Sequence, residues 1–307
     1  MNQRDLSRTF RSRQPFGFRN RAATALLILA TVGGGCHTAP PPPPVPGTLL
    51  EAQRLALQAT RLQDASQWAA ASVGWQRAAR QFQLINDRTN LAVALHHQGI
   101  CQQALGKPEE AAARLEQASR LNDELGLATP WWRNQIALVQ LEASTAPDQA
   151  QARLDRLNHR HPGPDDAMSQ GLLAHETARA KLRHHQPAPA LADLALATTR
   201  FQEAGATFGQ AAVEVTRAQT LEALGRLSEA ESAWRSALAV FEAGGQLRGI
   251  ATAMAGLGNC LAMQGRQAAE AESLLRRSAE NFEALGLAPE ARQARSALDQ
   301  LAPKRER

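Results

Sequence analysis

The chain has 307 residues, 34 of them Lys or Arg and 29 Asp or Glu, with 44% hydrophobic and 4% aromatic side chains. Its formal charge of +5 sits at the start: residues 1–21 hold six arginines and one acid, Asp5, and taking these from the totals leaves 28 basic against 28 acidic groups. A neutral body lacks the clustered positive excess that phosphate binding needs, which excludes nucleic acid as the expected partner.

Behind this basic stretch, Ala22 to Val32 is an apolar run too short to span a bilayer, and it reads as a secretory signal. The run ends Val32-Gly33-Gly34-Gly35-Cys36. This resembles the lipobox of bacterial lipoproteins, in which small residues precede a cysteine that is lipidated and becomes the mature N-terminus. Gly33 stands where that family prefers Leu, with Val32 one step further back. The resemblance implies a signal peptide over 1–35, a lipid (palmitate) on Cys36, and, because His37 and not Asp follows, an outer-membrane address facing the periplasm. Residues 36–48 contain Pro40 to Pro44 and Pro46 and read as a proline-rich tether. At about 3.1 Å per residue such chain extends on the order of 30 Å.

From residue 49 to 287 a repeat governs the chain. Phe201-Gln-Glu-Ala-Gly205 returns as Phe241-Glu-Ala-Gly-Gly245 and Phe282-Glu-Ala-Leu-Gly286. Fifteen residues before each closing glycine stands an alanine, and the same ruler places six units at Ala71, Ala111, Ala150, Ala190, Ala230 and Ala271. Four residues after the alanine comes Trp75, Leu115, Leu154, Leu194, Trp234 or Leu275. Three further on come Ala78, Ala118, Leu157, Ala197, Ala237 and Ser278. Apolar residues at i, i+4 and i+7 form one stripe of an α-helix, and small ones admit a close neighbour. A second helical stretch precedes each alanine, separated by a turn at Gly106, Gly225 or Gly265. Such helix-turn-helix units bury their stripes only by stacking, so the expected fold is an all-α superhelical solenoid.

The pattern resembles the tetratricopeptide repeat. It is clearest in Leu257-Gly258-Asn259-Cys260 with Gln264-Gly265, in Gly99 and Leu105-Gly106 with Glu109-Glu110-Ala111, and in Leu224-Gly225 with Glu229-Ala230. The stretches 130–144 and 164–184 fit the pattern poorly. Periods near 40 exceed the common 34 and predict longer helices. Ala288 to Leu301 reads as a capping helix, followed by a charged tail to 307.

Chemistry-bearing residues are few. Cys101 and Cys260 lie two residues after the first-helix glycine in units two and six, read as buried small thiols too far apart for a disulfide. His96-His97, His159-Arg-His161 and His184-His185 lack the i, i+4 spacing with an acid of a zinc helix, so no metal is expected. With no G-x-S-x-G and no phosphate-cradling glycine loop, neither enzymatic activity nor a cofactor is expected. Trp131-Trp132 follow Thr129-Pro130, read as a helix start with a capping hydroxyl. One of the two adjacent tryptophans turns from the core and is a candidate anchor for a partner.

In tetratricopeptide arrays the first helices line a concave groove. Carried over, this gives His96, Ile100 and Gln103 in unit two, His175 and Arg179 in unit four, Val215, Gln219 and Glu222 in unit five, and Ala255, Asn259 and Met263 in unit six. His96 and Ile100 stand where some members clamp a terminal carboxylate with Lys and Asn. The expected function is a lipid-anchored envelope scaffold that holds a protein partner, for example during assembly of an envelope complex. The alternatives are a periplasmic carrier or sensor of a small ligand, lipid or glycan, in the superhelix cavity, and an assembly factor such as a pilotin.

Overall fold

The computed structural model describes residues 47–301; the signal segment 1–35, Cys36, the tether up to Pro46 and the tail after Leu301 lie outside the described residues. Thirteen α-helices follow one another: α1 (Gly47–Asp64), α2 (Trp68–Leu84), α3 (Arg88–Ala104), α4 (Pro108–Glu124), α5 (Ala128–Thr145), α6 (Pro147–Asn158) and α7 (Ala167–Arg183). Then come α8 (Pro187–Glu203), α9 (Thr207–Ala223), α10 (Leu227–Ala243), α11 (Leu247–Gln264), α12 (Ala268–Ala284) and α13 (Ala288–Leu301). Each odd helix pairs with the even helix after it, and α13 packs on α12. The fold is an all-α superhelix of six helix-turn-helix units and a cap. Helix α1 begins at Gly47, two residues before the expected start of the repeats.

Helix length sets the period. Helices of 17 residues, such as α3 and α4, alternate with three-residue turns, which gives 40. In the turn after α4, Gly126 adopts a left-handed φ of 66°, so that Leu127 N–H reaches Asn122 O at 2.8 Å and Gly126 N–H reaches Asp123 O at 3.0 Å. These bonds satisfy the last carbonyls of the helix. Ser66 and His185 hold the same conformation, which side chains other than Asn rarely adopt. Their turns keep the same bond, Gln67 N–H to Leu62 O and Gln186 N–H to Lys181 O, so packing of the flanking helices overrides the side-chain preference.

The repeat alanines are the contact points of the core, all at most 1% exposed, and the large residue four positions later is at most 2% exposed. Gly99 explains why the first helix needs a small residue: a Cβ there would lie 2.8 Å from Leu115 Cγ and 3.2 Å from Ala111 O. Gly258 stands likewise over Leu275. Phe201, Phe241 and Phe282 of the recurring phrase are buried. Cys101 and Cys260 are free and buried, as read from their positions.

Unit three departs from this plan. Forty residues after Gln98 and Gly99, α5 carries Leu138 and Val139, both fully buried. A single residue, Ala146, links α5 to α6, and α6 has only 12 residues. With α6 cut short, α7 touches it little and packs on α5 directly. Pro162 lies in the loop beyond α6. The expected cap of α5 is corrected: the helix starts at Ala128 without a side-chain cap, because the Gly126 turn already sets its start. Thr129 Oγ1 instead pairs with Asp165 Oδ1 at 3.0 Å.

The outward side of α13 is polar, carrying Arg292, Gln293, Arg295 and Asp299, while Ala291 and Ala294 are buried; such a face stops a stack from growing. At the other end α1 turns a mixed face outward, with Arg54 and Arg61 exposed beside Leu50 and Leu57, which are 54% and 49% exposed. Among the described residues no helix is long and apolar enough to cross a membrane.

Candidate interaction groove

Consecutive first helices touch one another from α5 through α7, α9 and α11 to α13, whereas among the described residues successive second helices do not pack comparably. The crowded layer of a bent array is the inner one, so the odd helices line the concave face. Helix α7 packs Ala174 and Ala178 on α8. Arg179 and Arg183 lie on the side of α7 turned from α8. In that register Ile100, Gln140, Arg179, Gln219 and Asn259 recur at intervals of 39 or 40 residues.

The structure divides the expected groove residues by role. Gln219 and Met263 are exposed, and Gln103 and Asn259 are half-buried. Ile100 packs against the Leu115 and Leu138 cluster, and Val215 against that of Trp234. His96 and His175 are corrected from free contacts to bridges between first helices. His96 Nδ1 lies 2.6 Å from Asn134 Oδ1, and His175 Nε2 lies 2.8 Å from Thr216 Oγ1. Burial lowers the basicity of both, His175 to about 4. Between them, Gln140 Nε2 donates to Glu176 Oε1 at 3.1 Å, and Arg179 Nη1 donates to both Glu176 oxygens at 2.9 and 3.1 Å. A polar seam thus joins α3, α5, α7 and α9.

Glu222 is likewise corrected. It accepts the Trp234 Nε1 hydrogen at 2.7 Å, as Gln63 accepts that of Trp75 at 2.9 Å, in both cases twelve residues before the tryptophan. A buried indole N–H requires an acceptor, so this position serves packing. Burial raises the Glu222 carboxyl above its ordinary value. Sequence reasoning did not find Asn134, Gln140, Glu176, Thr216 or Arg183. The forty-residue ruler, laid on the first helices from Ile100, leads to Gln140; the bridging partners carry no such signal.

Trp132 is buried with Ile136, Val139 and Leu154, and half-buried Trp131 meets it edge to face, centroids 5.2 Å apart. The Arg160 guanidinium covers the Trp131 ring at 3.9 Å. A pocket of about 230 Å³ lies beside this pair, bordered by Asp123 and Pro162, and one of about 340 Å³ lies on its other side, towards Arg120 and Arg153. A third, of about 400 Å³, is floored by Leu191, Leu194 and Leu221 between α8 and α9. All three are open notches between units. Among the described residues no three His, Cys, Asp or Glu side chains converge as a metal site. Burial pushes the Cys101 thiol up to about 11, so it is protonated at neutral pH.

No protein-family model and no curated protein matches the sequence. Solved structures do. A Rap protein complexed with Competence and Sporulation Factor superposes with a TM-score of 0.60 at 14% identity, covering 84% of this chain and 76% of that one. The apo form of RapI superposes with a TM-score of 0.51 at 11% identity, with the same coverages. At such identities the likeness concerns the fold alone, an all-α superhelix of helical repeats.

Proposed function

We propose that the chain is a scaffold that holds an extended segment of a protein partner along its concave face. The observation that carries this is the row Gln140, Arg179, Gln219 and Asn259, one long polar side chain per unit on four neighbouring inner helices. Side-chain amides offer both donor and acceptor, which suits the alternating N–H and C=O groups of an extended chain. The Rap structure of the same architecture is itself a complex with a bound factor. Positioning, without bond chemistry, is then the mechanism. Lipidation at Cys36 and the tether after it place the scaffold at the periplasmic face of the outer membrane.

Two measurements test the two parts. Metabolic palmitate labelling of the wild type beside Cys36→Ser is expected to lose label with the cysteine; an unlabelled wild type ends the anchor reading. A photo-crosslinking side chain at Gln219 is expected to trap a partner that one at Ala195, exposed on the second-helix layer, does not. Equal trapping from both positions removes the groove from the argument.

A further inference from the structure

The inner face carries one arginine that is not accounted for by folding. Among the described residues Arg179 is held by Glu176, whose side chain is 1% exposed, whereas Arg183, one helical turn on, has neither an ion-pair nor a hydrogen-bond partner. The other cation nearby, Lys181, is taken by Asp193 at 2.5 Å. In the matching positions α5 offers Gln140 and Ser144, and α9 offers Gln219 and Ala223. No carboxylate of the neighbouring inner strips is therefore set to neutralise Arg183. Burial, with the adjacent Arg179 charge, pulls the Arg183 guanidinium below its ordinary value, and the Glu176 carboxylate opposes this.

We propose that Arg179 and Arg183 form an anion subsite of the groove that takes a carboxylate of the bound segment opposite unit four. The proposal rests on the groove reading above. Side chains four residues apart on a helix are neighbours, so two guanidinium forks present donors to one carboxylate. Glu176 already neutralises one of the two charges, which leaves a single positive charge. A singly charged carboxylate matches it, whereas a doubly charged phosphate would be repelled by Glu176. Substitution should start at Arg183, because removing Arg179 strands the buried Glu176 charge.

The test is peptide display on the purified full chain. Random dodecamers are fused through their C-termini so that no free carboxyl end is present, and a parallel library has free ends. Selected peptides are then synthesised as acid and amide pairs and titrated by fluorescence polarisation against wild type, Arg183→Gln and Arg183→Lys. The expected result is an Asp or Glu column in the blocked library, or selection from the free-end library alone; these assign the carboxylate to a side chain or to the terminus. Changing that acid to its amide, or blocking that end, weakens wild-type binding by on the order of tenfold. Arg183→Gln, with an unchanged melting temperature, removes this discrimination, and Arg183→Lys restores part of it. Peptides that bind the groove with no acid preference, or with one unchanged in Arg183→Gln, overturn the subsite and leave the groove reading standing. No selected peptide, or only peptides that bind Gln219→Trp equally well, overturns the groove reading and the subsite with it.

Discussion

Units two and six on one side and units three and four on the other are built from the same forty-residue plan and use it differently. In the former, Gly99 and Gly258 let the paired helix approach until Leu115 and Leu275 fill the gap. In the latter, unit three puts Leu138 and Val139 at the crossing of α5 and shortens its second helix to 12 residues, and in both units charged or ionisable groups enter the interior: Glu142, His175 and Glu176. Regular packing here is made by small residues, and it leaves a neutral inner face. Where the packing rule is relaxed, polar groups link one first helix to the next. The arginines proposed to meet a partner stand in that region.

The largest effect should come from the regular part. Trp234 is 2% exposed, and its removal leaves both a cavity and an unpaired Glu222. Trp234→Ala is expected to cost about 4 kcal/mol, read from urea denaturation. A loss below about 1 kcal/mol would mean that units five and six pack more loosely than units three and four, reversing the comparison.

In the irregular part the corresponding weak point is an ion pair. Arg153 donates to both Glu142 oxygens at 2.6–3.1 Å and to Gln135 Oε1 at 2.8 Å, with side chains only 16% and 11% exposed. Arg153→Ala leaves the Glu142 charge buried and should cost about 3 kcal/mol. Replacing both partners, Arg153→Met with Glu142→Leu, should recover most of that loss. A double variant as unstable as the single one would show that Arg153 acts through Gln135 and packing.

How far the sequence reaches follows from these same residues. The alanine ruler placed all six units and their core positions, because the close approach of paired helices allows only small residues at Ala71, Ala111 and their equivalents. The irregular first helices resisted it, since α5 has no small residue at the crossing and only Ala146 as its turn. Of the groove residues, those in a row along the inner face were legible by spacing. The bridges were not: whether His96 is free or bound depends on Asn134, 38 residues away on another helix, and pairs of that kind have no periodicity. Glu222 misled for the same reason, because its partner Trp234 belongs to the core.

Two buried histidines, His175 in the polar seam and His97 beside Trp75, make stability depend on pH. His175 is held neutral, with its pKa lowered to about 4 by burial, and His97, stacked on Trp75 at 4.5 Å, is lowered to about 3. The unfolded chain takes up these protons near pH 6.5 while the folded chain does not. The stabilisation is therefore complete above pH 6.5 and is lost as pH falls from there towards the folded values. For His175 alone the loss is about 2 kcal/mol between pH 8 and pH 5. Urea midpoints across that range should fall in the wild type and fall less in His175→Gln. An equal slope in both would place the titration outside the seam.

The smallest effect concerns the turns, and it probes the comparison at a single dihedral angle. Gly106 and Gly225 in units two and five have φ of 71° and 72°, where glycine pays no steric cost, but unit four places His185 there at 57°. A side chain in this conformation costs on the order of 1 kcal/mol, partly offset because glycine loses more freedom on folding. His185→Gly should therefore stabilise by about 0.5 kcal/mol and raise the melting temperature by about 1–2 °C in a domain of this size. Gly106→Ala should act in the opposite direction. If His185→Gly instead lowers the melting temperature, the imidazole contributes more than its strain costs. The turn of unit four would then join the buried charges as a place where this region trades packing regularity for polar contacts.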